Sequence, residues 1–228
     1  MVYKGDAGVE MKNPVGSYSK QLSSTYNFIL CERDAINRFS RVFREAGINV
    51  KGKIYASAAV VAESVVTTEE KEEGVAIVDI GSGVTDVAVY YGNVLTYVAT
   101  IPIGGSAINN DIRHFNGYIP AQTIENLKKR YGSATADGVP DNTTVPVKTA
   151  GHAKKQILQR NIAEIAEERL KDITGFVMRE LKAAKFSTKL PCGIVLTGGS
   201  AYLQNIEELF ARELTGLFSK RITIFSES

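Results

Sequence analysis

Three short stretches of the chain carry residue types suited to phosphate and nucleoside chemistry. The first is the glycine-rich segment Asp79-Ile80-Gly81-Ser82-Gly83-Val84-Thr85-Asp86, which joins two apolar runs. Small residues in a tight hairpin let several backbone amides point at one anion, as a phosphate requires. A carboxylate at the strand end, Asp79, is suited to holding a hydrated Mg²⁺ ion beside phosphates. Taken singly, such a segment is by default an ordinary turn between strands.

The other two stretches would contribute to a nucleoside site. Thr197-Gly198-Gly199-Ser200 lies between an apolar strand and a helix and allows close backbone approach beside a helix N-terminus. Glu125 and Lys128 are three residues apart on a helix, so they share one face and can bracket a ribose and base. The simpler interpretations are a strand-to-helix turn and a surface ion pair.

The spacing of apolar residues predicts the elements that must position these stretches. Strands are predicted over 26–30, 52–56, 75–80, 85–91, 94–103 and 192–196. Helices are predicted over 34–46, 58–66, 108–115, 121–131, 162–181 and 206–214, the first with Asp34 as its N-cap and Gly47 as its stop. The acidic run 68–73 predicts a solvated loop, and 132–151 an exposed loop or short hairpin between two subdomains.

Composition excludes disordered, collagen-like and coiled-coil proteins. The chain has 228 residues, 44% of them hydrophobic and 23% charged, which is typical of a soluble globular protein. A formal charge of +2 predicts no nucleic-acid partner. The cysteines Cys31 and Cys192 form no disulfide framework or zinc motif and favour a reducing compartment, and His114 and His152 are too isolated to hold a metal. The longest apolar runs are strand-sized, so no transmembrane segment is predicted.

The order of these motifs resembles the C-terminal half of actin-like ATPases and, within them, the FtsA family of bacterial cell-division proteins. The resemblance rests on Gly74-Val75-Ala76-Ile77-Val78-Asp79-Ile80-Gly81, Ile101-Pro102-Ile103-Gly104-Gly105, Ile124-Glu125-Asn126-Leu127-Lys128 with Tyr131-Gly132, and Ile194-Val195-Leu196-Thr197-Gly198-Gly199. Pro14-Val15-Gly16 and Ala46-Gly47-Ile48 resemble the inserted subdomain 1C of that family. Ser82, where the family usually has glycine, and Ile124, where it usually has alanine, depart from the pattern.

The resemblance implies an α/β fold. We expect an actin-like (ribonuclease H-like) C-terminal lobe with a mixed five-stranded sheet and helices, plus a smaller α+β subdomain. It assigns 1–51 to a partial 1C-like subdomain, 52–121 with 187–228 to subdomain 2A, and 122–186 to subdomain 2B. It also implies that an N-terminal lobe and a C-terminal amphipathic membrane helix lie outside this chain, which would then be a fragment.

The resemblance further implies ATP and Mg²⁺ as cofactors of the intact protein. Asp79 would be the catalytic, Mg²⁺-side carboxylate. The other cofactor-binding residues would be those of the phosphate hairpin, of the loop before the following helix, and of the nucleoside wall: Gly81, Ser82, Gly83 and Thr85; Gly104 and Gly105; Gly198, Gly199, Ser200, Glu125 and Lys128. With one lobe of the two-lobed clamp, we expect weak or no nucleotide binding and no ATPase activity from this chain.

The partners that the resemblance implies are the C-terminal tail of FtsZ, other copies of the protein in filaments, and further division proteins. FtsA tethers FtsZ filaments to the inner face of the cytoplasmic membrane and helps to assemble the Z ring. The candidate basic residues of subdomain 2B are Lys148, Lys154, Lys155, Arg160 and Arg169. An acidic, partly apolar tail could dock on them, or they could be ordinary charges that keep the surface solvated. The alternatives are an MreB- or PilM-type actin-like protein and a heat-shock-type chaperone ATPase, which partner choice would distinguish.

Overall fold

A mixed sheet of five strands forms the centre of the molecule in the computed structural model, which describes residues 2–11, 13–30, 32–51, 57–117, 119–149, 154–186, 190–214 and 222–224. The strands are β4 (Val75–Ile80), β5 (Thr85–Tyr91), β6 (Val94–Ile101), β9 (Ile194–Thr197) and β10 (Ile222–Ile224), in the order β10-β9-β4-β5-β6. β10, β9 and β4 are parallel, whereas β4, β5 and β6 form an antiparallel meander. The predicted mixed five-stranded sheet is therefore confirmed.

Both faces of this sheet are covered, as the continuous apolar sequence of β4 requires. On one face, Ala76, Val78 and Ile80 pack in a core with α4 (Gly105–Asn116), α5 (Ala121–Tyr131), α6 (Gln159–Ala183) and α7 (Ile206–Glu213). On the other face, Val75 and Ile77 pack with residues of α2 (Ser57–Ser64). The ends of β4 and β9 thus lie in a sheet with helices on both faces.

The long helix α6 buries one face along most of its length. Its buried side chains follow the predicted steps of three and four residues, with two further residues, Ala163 and Thr174, beside them: Ile162, Ala163, Ala166, Leu170, Ile173, Thr174, Val177 and Leu181. Before it, β7 (Thr144–Lys148) and β8 (Lys154–Leu158) form an antiparallel hairpin. The sequence left 132–151 as a loop or hairpin, so β8 extends the structured region beyond the expected boundary. The subdomain limits at 51, 121 and 186 stay predictions.

The N-terminal part forms a separate small sheet followed by a helix. Its strands are β1 (Val2–Lys4), β2 (Glu10–Met11) and β3 (Ser23–Thr25), in the order β2-β1-β3, and the helix is α1 (Arg33–Glu45). The strand predicted over 26–30 is wrong, because the ladder ends at Thr25 and the side chains that follow are exposed. α1 begins one residue before Asp34, so Asp34 lies in its first turn rather than at the N-cap. The strand predicted over 52–56 lies outside the described residues.

The acidic run 68–73 is a helix rather than the predicted loop. In α3 (Thr68–Glu73), the hydroxyl of Thr67 accepts a hydrogen bond from the Glu70 amide at 3.2 Å, and the Glu70 carboxylate accepts one from the Thr67 amide at 2.9 Å. This reciprocal cap satisfies donors that a short helix would otherwise leave open. The carboxylates of the first turn also interact favourably with the helix dipole.

Candidate nucleotide site and partner groove

The glycine-rich segment forms the predicted hairpin between β4 and β5. The Gly81 amide donates a hydrogen bond to the Val84 carbonyl oxygen at 3.0 Å, which closes the turn. The Thr85 side chain is buried, and its hydroxyl donates to the Ile103 carbonyl oxygen at 2.8 Å. Thr85 therefore links the hairpin to the loop that follows β6. Ser82 and Gly83, at the tip of the hairpin, are exposed.

The start of α4 packs directly on this hairpin. The amides of Gly105 and Ser106 donate to the carbonyl oxygens of Gly81 and Ser82 at 2.9 and 2.8 Å. A Cβ atom on Gly104 would lie 2.6 Å from the Gly81 carbonyl oxygen and 2.7 Å from that of Ser82. Because backbone atoms cannot yield at such distances, only glycine permits this approach at position 104.

The Thr197–Ser200 turn is the third segment at this edge of the sheet. Thr197 pairs with Asp79 where β9 runs parallel to β4, and a Cβ atom on Gly198, which has φ +86°, would collide with Asp79 Oδ1. Gly105 in turn has no room for a Cβ beside Ser200 Oγ. As predicted, the segment is a turn between a strand and a helix: a 3₁₀ turn occupies 199–202, and α7 begins at Ile206. The three predicted segments therefore meet.

Two glycines of the site are not required by the packing of the chain itself. A Cβ atom on Gly83 or Gly199 would meet nothing within 4 Å. Neither residue has a positive φ, so the backbone conformation does not select glycine either. Both lie at exposed positions on the two turns that flank Asp79. The missing side chains therefore leave space outside the protein, as close approach of a phosphate or nucleoside requires.

Glu125 and Lys128 form a partly buried pair on α5 rather than a surface pair. Lys128 is only 7% exposed, and its ammonium lies 2.8 Å from Glu125 Oε2 and donates to the Gly105 carbonyl oxygen at 3.2 Å. Asn109 Nδ2 also donates to Glu125 Oε2, at 2.7 Å. Burial alone would raise the pKa of Glu125, but the hydrogen bonds from Lys128 and Asn109 outweigh it and lower that pKa. Glu125 is thus a fixed anion beside the start of α4.

Asp79 faces a second carboxylate that the sequence reasoning did not single out. The β4–β5 register places Asp86 directly opposite Asp79, and Asp86 is buried and accepts a hydrogen bond from the Thr100 hydroxyl at 2.5 Å. Burial, and then the charge of Asp86, raises the pKa of Asp79. The length of the hairpin could have revealed this pairing, since a four-residue turn fixes which residues oppose each other.

The donor set at this edge fits Mg²⁺ bound together with phosphates. Within the part of the chain that the structure describes, no cluster of three or more metal-ligating side chains occurs. Mg²⁺ usually keeps several waters and takes one or two protein carboxylates plus phosphate oxygens. Asp79, whose carboxylate makes no hydrogen bond with the described residues, is suited to such a role.

Three of the five basic residues proposed for tail docking are occupied by contacts within the chain. Lys155 Nζ donates to the Asn116 carbonyl oxygen at 2.6 Å. The two arginines pair with carboxylates: Arg160 with Asp141 and with Glu164 at 3.0 Å, and Arg169 with Asp111 at 2.6 Å and Asp172 at 3.0 Å. Lys148 is exposed at the end of β7, and the side chain of Lys154 lies outside the described set.

A groove between α4 and α6 lies beside Arg169. It encloses a cavity of about 410 Å³, and its apolar lining includes Ile165 and Phe115, which is 71% exposed. The His114 ring contacts the Phe115 ring edge-on at 5.4 Å. The charged residues that line it are Asp111, Glu164, Glu168, Arg169 and Asp172. Sequence reasoning missed this groove, because Phe115 follows Ile108 and Ile112 at the spacing of a single apolar helix face and so gives no sign of being exposed. None of the described helices is both long and apolar enough to cross a bilayer.

Comparison with known proteins connects these features with cell division. The family model for cell division protein FtsA matches residues 76–226, which contain all three candidate nucleotide segments. Curated relatives include cell division protein FtsA of Pseudomonas aeruginosa, 32% identical over 200 residues, a match that covers 87% of this chain and 48% of that protein. The Escherichia coli protein of the same name is 32% identical over 204 residues, covering 86% and 48%. The chain thus spans about half the length of the curated relatives it matches.

Solved structures show the same fold at lower identity. MreB5 of Spiroplasma citri bound to ADP superposes with a TM-score of 0.67 at 22% identity, covering 86% of this chain and 61% of that one. The PilM-PilN type IV pilus biogenesis complex gives 0.59 at 17% identity, covering 84% and 47%. These likenesses confirm the predicted actin-like fold, whereas the family match favours FtsA over the MreB- and PilM-type alternatives. On its motifs and on the extent of that match, the chain belongs to the FtsA family of cell-division proteins.

Proposed function

We propose that this chain supplies one wall of an ATP site and a docking groove for the C-terminal tail of FtsZ. The observation that carries the nucleotide proposal is the convergence of three loops around Asp79, with open space kept at Gly83 and Gly199. MreB5 of Spiroplasma citri, which has the same fold, is bound to ADP in one crystal structure and to AMPPNP in another, and this supports the same class of ligand here.

In this proposal, each part of the wall holds one part of the nucleotide. The hairpin tip at Ser82 and Gly83 would bind phosphate oxygens through backbone amides, and Asp79 would hold Mg²⁺ through its waters. Bound Mg²⁺ would neutralise the charge of the phosphates. Glu125 and Lys128 would face the nucleoside. We ascribe binding rather than turnover to this wall, since phosphoryl transfer needs positioning and charge stabilisation from groups around the whole phosphate chain.

An NMR titration of the chain with Mg·ATP tests the nucleotide site. We expect a dissociation constant in the millimolar range and shifts centred on the amides of residues 81–85 and 197–200. Gly83→Ala should leave folding intact, because the added Cβ meets no protein atom within 4 Å. It should weaken binding about tenfold, because the methyl group occupies space that the ligand needs. Gly175→Ala is the matched control, since Gly175 also has open space but lies on α6. Equal affinities of the two variants would contradict the proposal.

The groove between α4 and α6 supports the tail-docking proposal through its apolar surface. Because Arg160 and Arg169 already pair with carboxylates, an acidic tail gains little from their charge. The exposed ring of Phe115 beside Ile165 offers an anchor of the kind that dominates binding energy at interfaces. We therefore expect the apolar part of the tail to contribute most of the affinity.

Fluorescence anisotropy with a labelled FtsZ tail peptide tests this docking. Phe115→Ala should weaken binding about tenfold, whereas Phe39→Ala, which removes another exposed ring, on α1, should leave it unchanged. Raising the salt concentration should not weaken binding more than about threefold, because the groove lining has four carboxylates and one guanidinium and so offers an acidic tail no net positive charge. Steep weakening in salt, with loss of binding in Arg160→Glu and Arg169→Glu, would instead establish a docking site based on basic charge.

We further propose the cellular setting that goes with these two sites. The chain would act at the inner face of the cytoplasmic membrane at the division site, as part of a protein that tethers FtsZ filaments there, binds other division proteins and associates with itself into filaments. Family membership and the filament-forming actin-like neighbours support this setting. Sedimentation with FtsZ filaments, with and without lipid vesicles, would test it on the full-length protein.

A further inference from the structure

Asn109 on α4 contains a buried polar atom without a partner. Among the described residues, its Oδ1 is the buried side-chain atom that accepts no hydrogen bond. The orientation of the amide is dictated by its other end, because Nδ2 donates to Glu125 Oε2 at 2.7 Å. Exchanging the two atoms would place an oxygen against a carboxylate oxygen, so the amide cannot turn to satisfy Oδ1.

The hydrogen bond to Glu125 is what offsets the cost of an asparagine at this position. An acceptor that is buried without a donor costs folding free energy, which an apolar side chain of similar shape would not. Leucine would fill much the same volume and is also a better helix former. The contribution of Asn109 must therefore lie in what its NH₂ group does to Glu125.

The two carboxylate oxygens of Glu125 have different surroundings. Oε2 accepts from both Asn109 Nδ2 at 2.7 Å and Lys128 Nζ at 2.8 Å. Oε1 lies 3.6 Å from the ammonium of Lys129, an exposed side chain, and makes no hydrogen bond with the described residues. The chain thus saturates one oxygen and leaves the other for a donor from outside.

We propose that Asn109 is a positioning residue that turns Glu125 Oε1 toward a ribose hydroxyl of the bound nucleotide. A carboxylate only accepts, so its external partner must donate, and the vicinal hydroxyls of ribose are donors at the part of the ligand that Glu125 faces. This inference rests on the proposed nucleotide site and adds a preference for ribonucleotides over their deoxy analogues. Such a site rejects the analogue that lacks the hydroxyl, because its own acceptor is then left unpaired.

The test compares ATP, 2′-deoxy-ATP and 3′-deoxy-ATP, each with Mg²⁺, by NMR titration of three versions of the chain. The wild-type chain should bind ATP about tenfold more tightly than at least one of the deoxy analogues. Asn109→Leu should lose this preference while keeping the wild-type circular dichroism spectrum, and the matched control Asn110→Leu, at an exposed position of the same helix, should keep the preference. Asn109→Ala replaces the leucine variant if the latter does not fold.

A second readout follows Glu125 itself. In the wild-type chain the pKa of Glu125 is lowered, and removal of the Asn109 amide should raise it in a ¹³C titration of the carboxyl group, which verifies that the amide acts on this carboxylate. Unchanged nucleotide preference in Asn109→Leu would overturn the inference while leaving the nucleotide site intact. A wild-type chain that binds none of the three nucleotides would overturn the proposed nucleotide site, and the inference with it.

Discussion

The helices α1 and α6 share an amphipathic pattern but differ in what covers them. In α6, eight side chains are buried against the sheet and its neighbouring helices. In α1, no residue is buried, and Phe39 and Phe43 are 61% and 40% exposed. An apolar stripe therefore predicts a helix and its face, whereas burial depends on a partner that the stripe does not specify.

The same contrast extends to the regions that contain the two helices. The N-terminal part is held by short ladders and by local polar contacts, such as the Asp6 carboxylate, which accepts hydrogen bonds from the amides of Lys20 and Gln21 at 2.9 and 3.0 Å. Around the five-stranded sheet, stability comes from two continuous apolar cores. We expect global unfolding to report on the sheet region, and the N-terminal part to open locally at lower cost.

The largest effect should come from the core face of α6. Ile173→Ala removes a fully buried side chain and should lower the free energy of unfolding by about 2–5 kcal/mol, because the cavity adds to the lost burial. Chemical denaturation measures this change. A loss below about 1 kcal/mol would break the comparison, since α6 would then behave like an exposed helix.

A smaller loss should follow at Glu167, which joins α6 to α7 and to the loop after α5. Its carboxylate accepts hydrogen bonds from the Ala136 amide at 2.7 Å and from Arg212 at 2.6 Å, and lies 3.1 Å from Lys171 Nζ. Glu167→Gln should cost about 1–3 kcal/mol at neutral pH. Glu168→Gln, on the exposed side of α6, is the control and should cost less than about 0.5 kcal/mol.

The pH dependence of the Glu167 effect has a definite sign. Burial alone would raise the pKa of Glu167, but the hydrogen bonds from Ala136, Arg212 and Lys171 outweigh it and lower that pKa. The carboxylate therefore contributes stability above its ordinary pKa of 4.5, and this contribution is lost as the pH falls through the lower folded value. Wild type and Glu167→Gln should converge in acid. A constant difference across pH would show that the charge is not what stabilises this contact.

Asp79 should show the opposite sign. Because burial and the charge of Asp86 raise the pKa of Asp79, its effect on stability is most favourable below its ordinary pKa of 3.8 and declines as the pH rises through the folded value. Asp79→Asn should stabilise the chain at neutral pH by at most about 1 kcal/mol after solvent screening, and the gain should vanish in acid. A destabilised variant with unchanged Mg·ATP binding would make Asp79 a structural residue.

The smallest effect should be found on α1. Phe39→Ser replaces an exposed ring that packs on no core, so the free energy of unfolding should change by less than about 0.5 kcal/mol. Denaturation under the conditions used for Ile173→Ala checks this. A loss comparable to that of Ile173→Ala would show that α1 has a covering partner in solution and would remove the contrast between the two regions.

Local signals account for the elements that were predicted well and for those that were not. The strands β4 and β5 and the helices α5 and α6 follow from apolar periodicity within one segment. The strand expected over 26–30 failed because a strand needs a neighbouring ladder, which β-prone residues do not specify. The helix at 68–73 could have been predicted, since Thr67 and Glu70 have the spacing of a capping box.

For the site, the sequence by itself determined where glycine permits close backbone approach, because that need is met by residue type alone. Only the tertiary structure decided which side chains meet: Asp86 opposite Asp79, and Asn109 on Glu125. It likewise paired Arg169 with Asp111, 58 residues away, and so changed the expected docking contact from charge to an apolar ring. Glycine turns and apolar periods are local properties of a segment, whereas contacts between side chains depend on how distant segments pack.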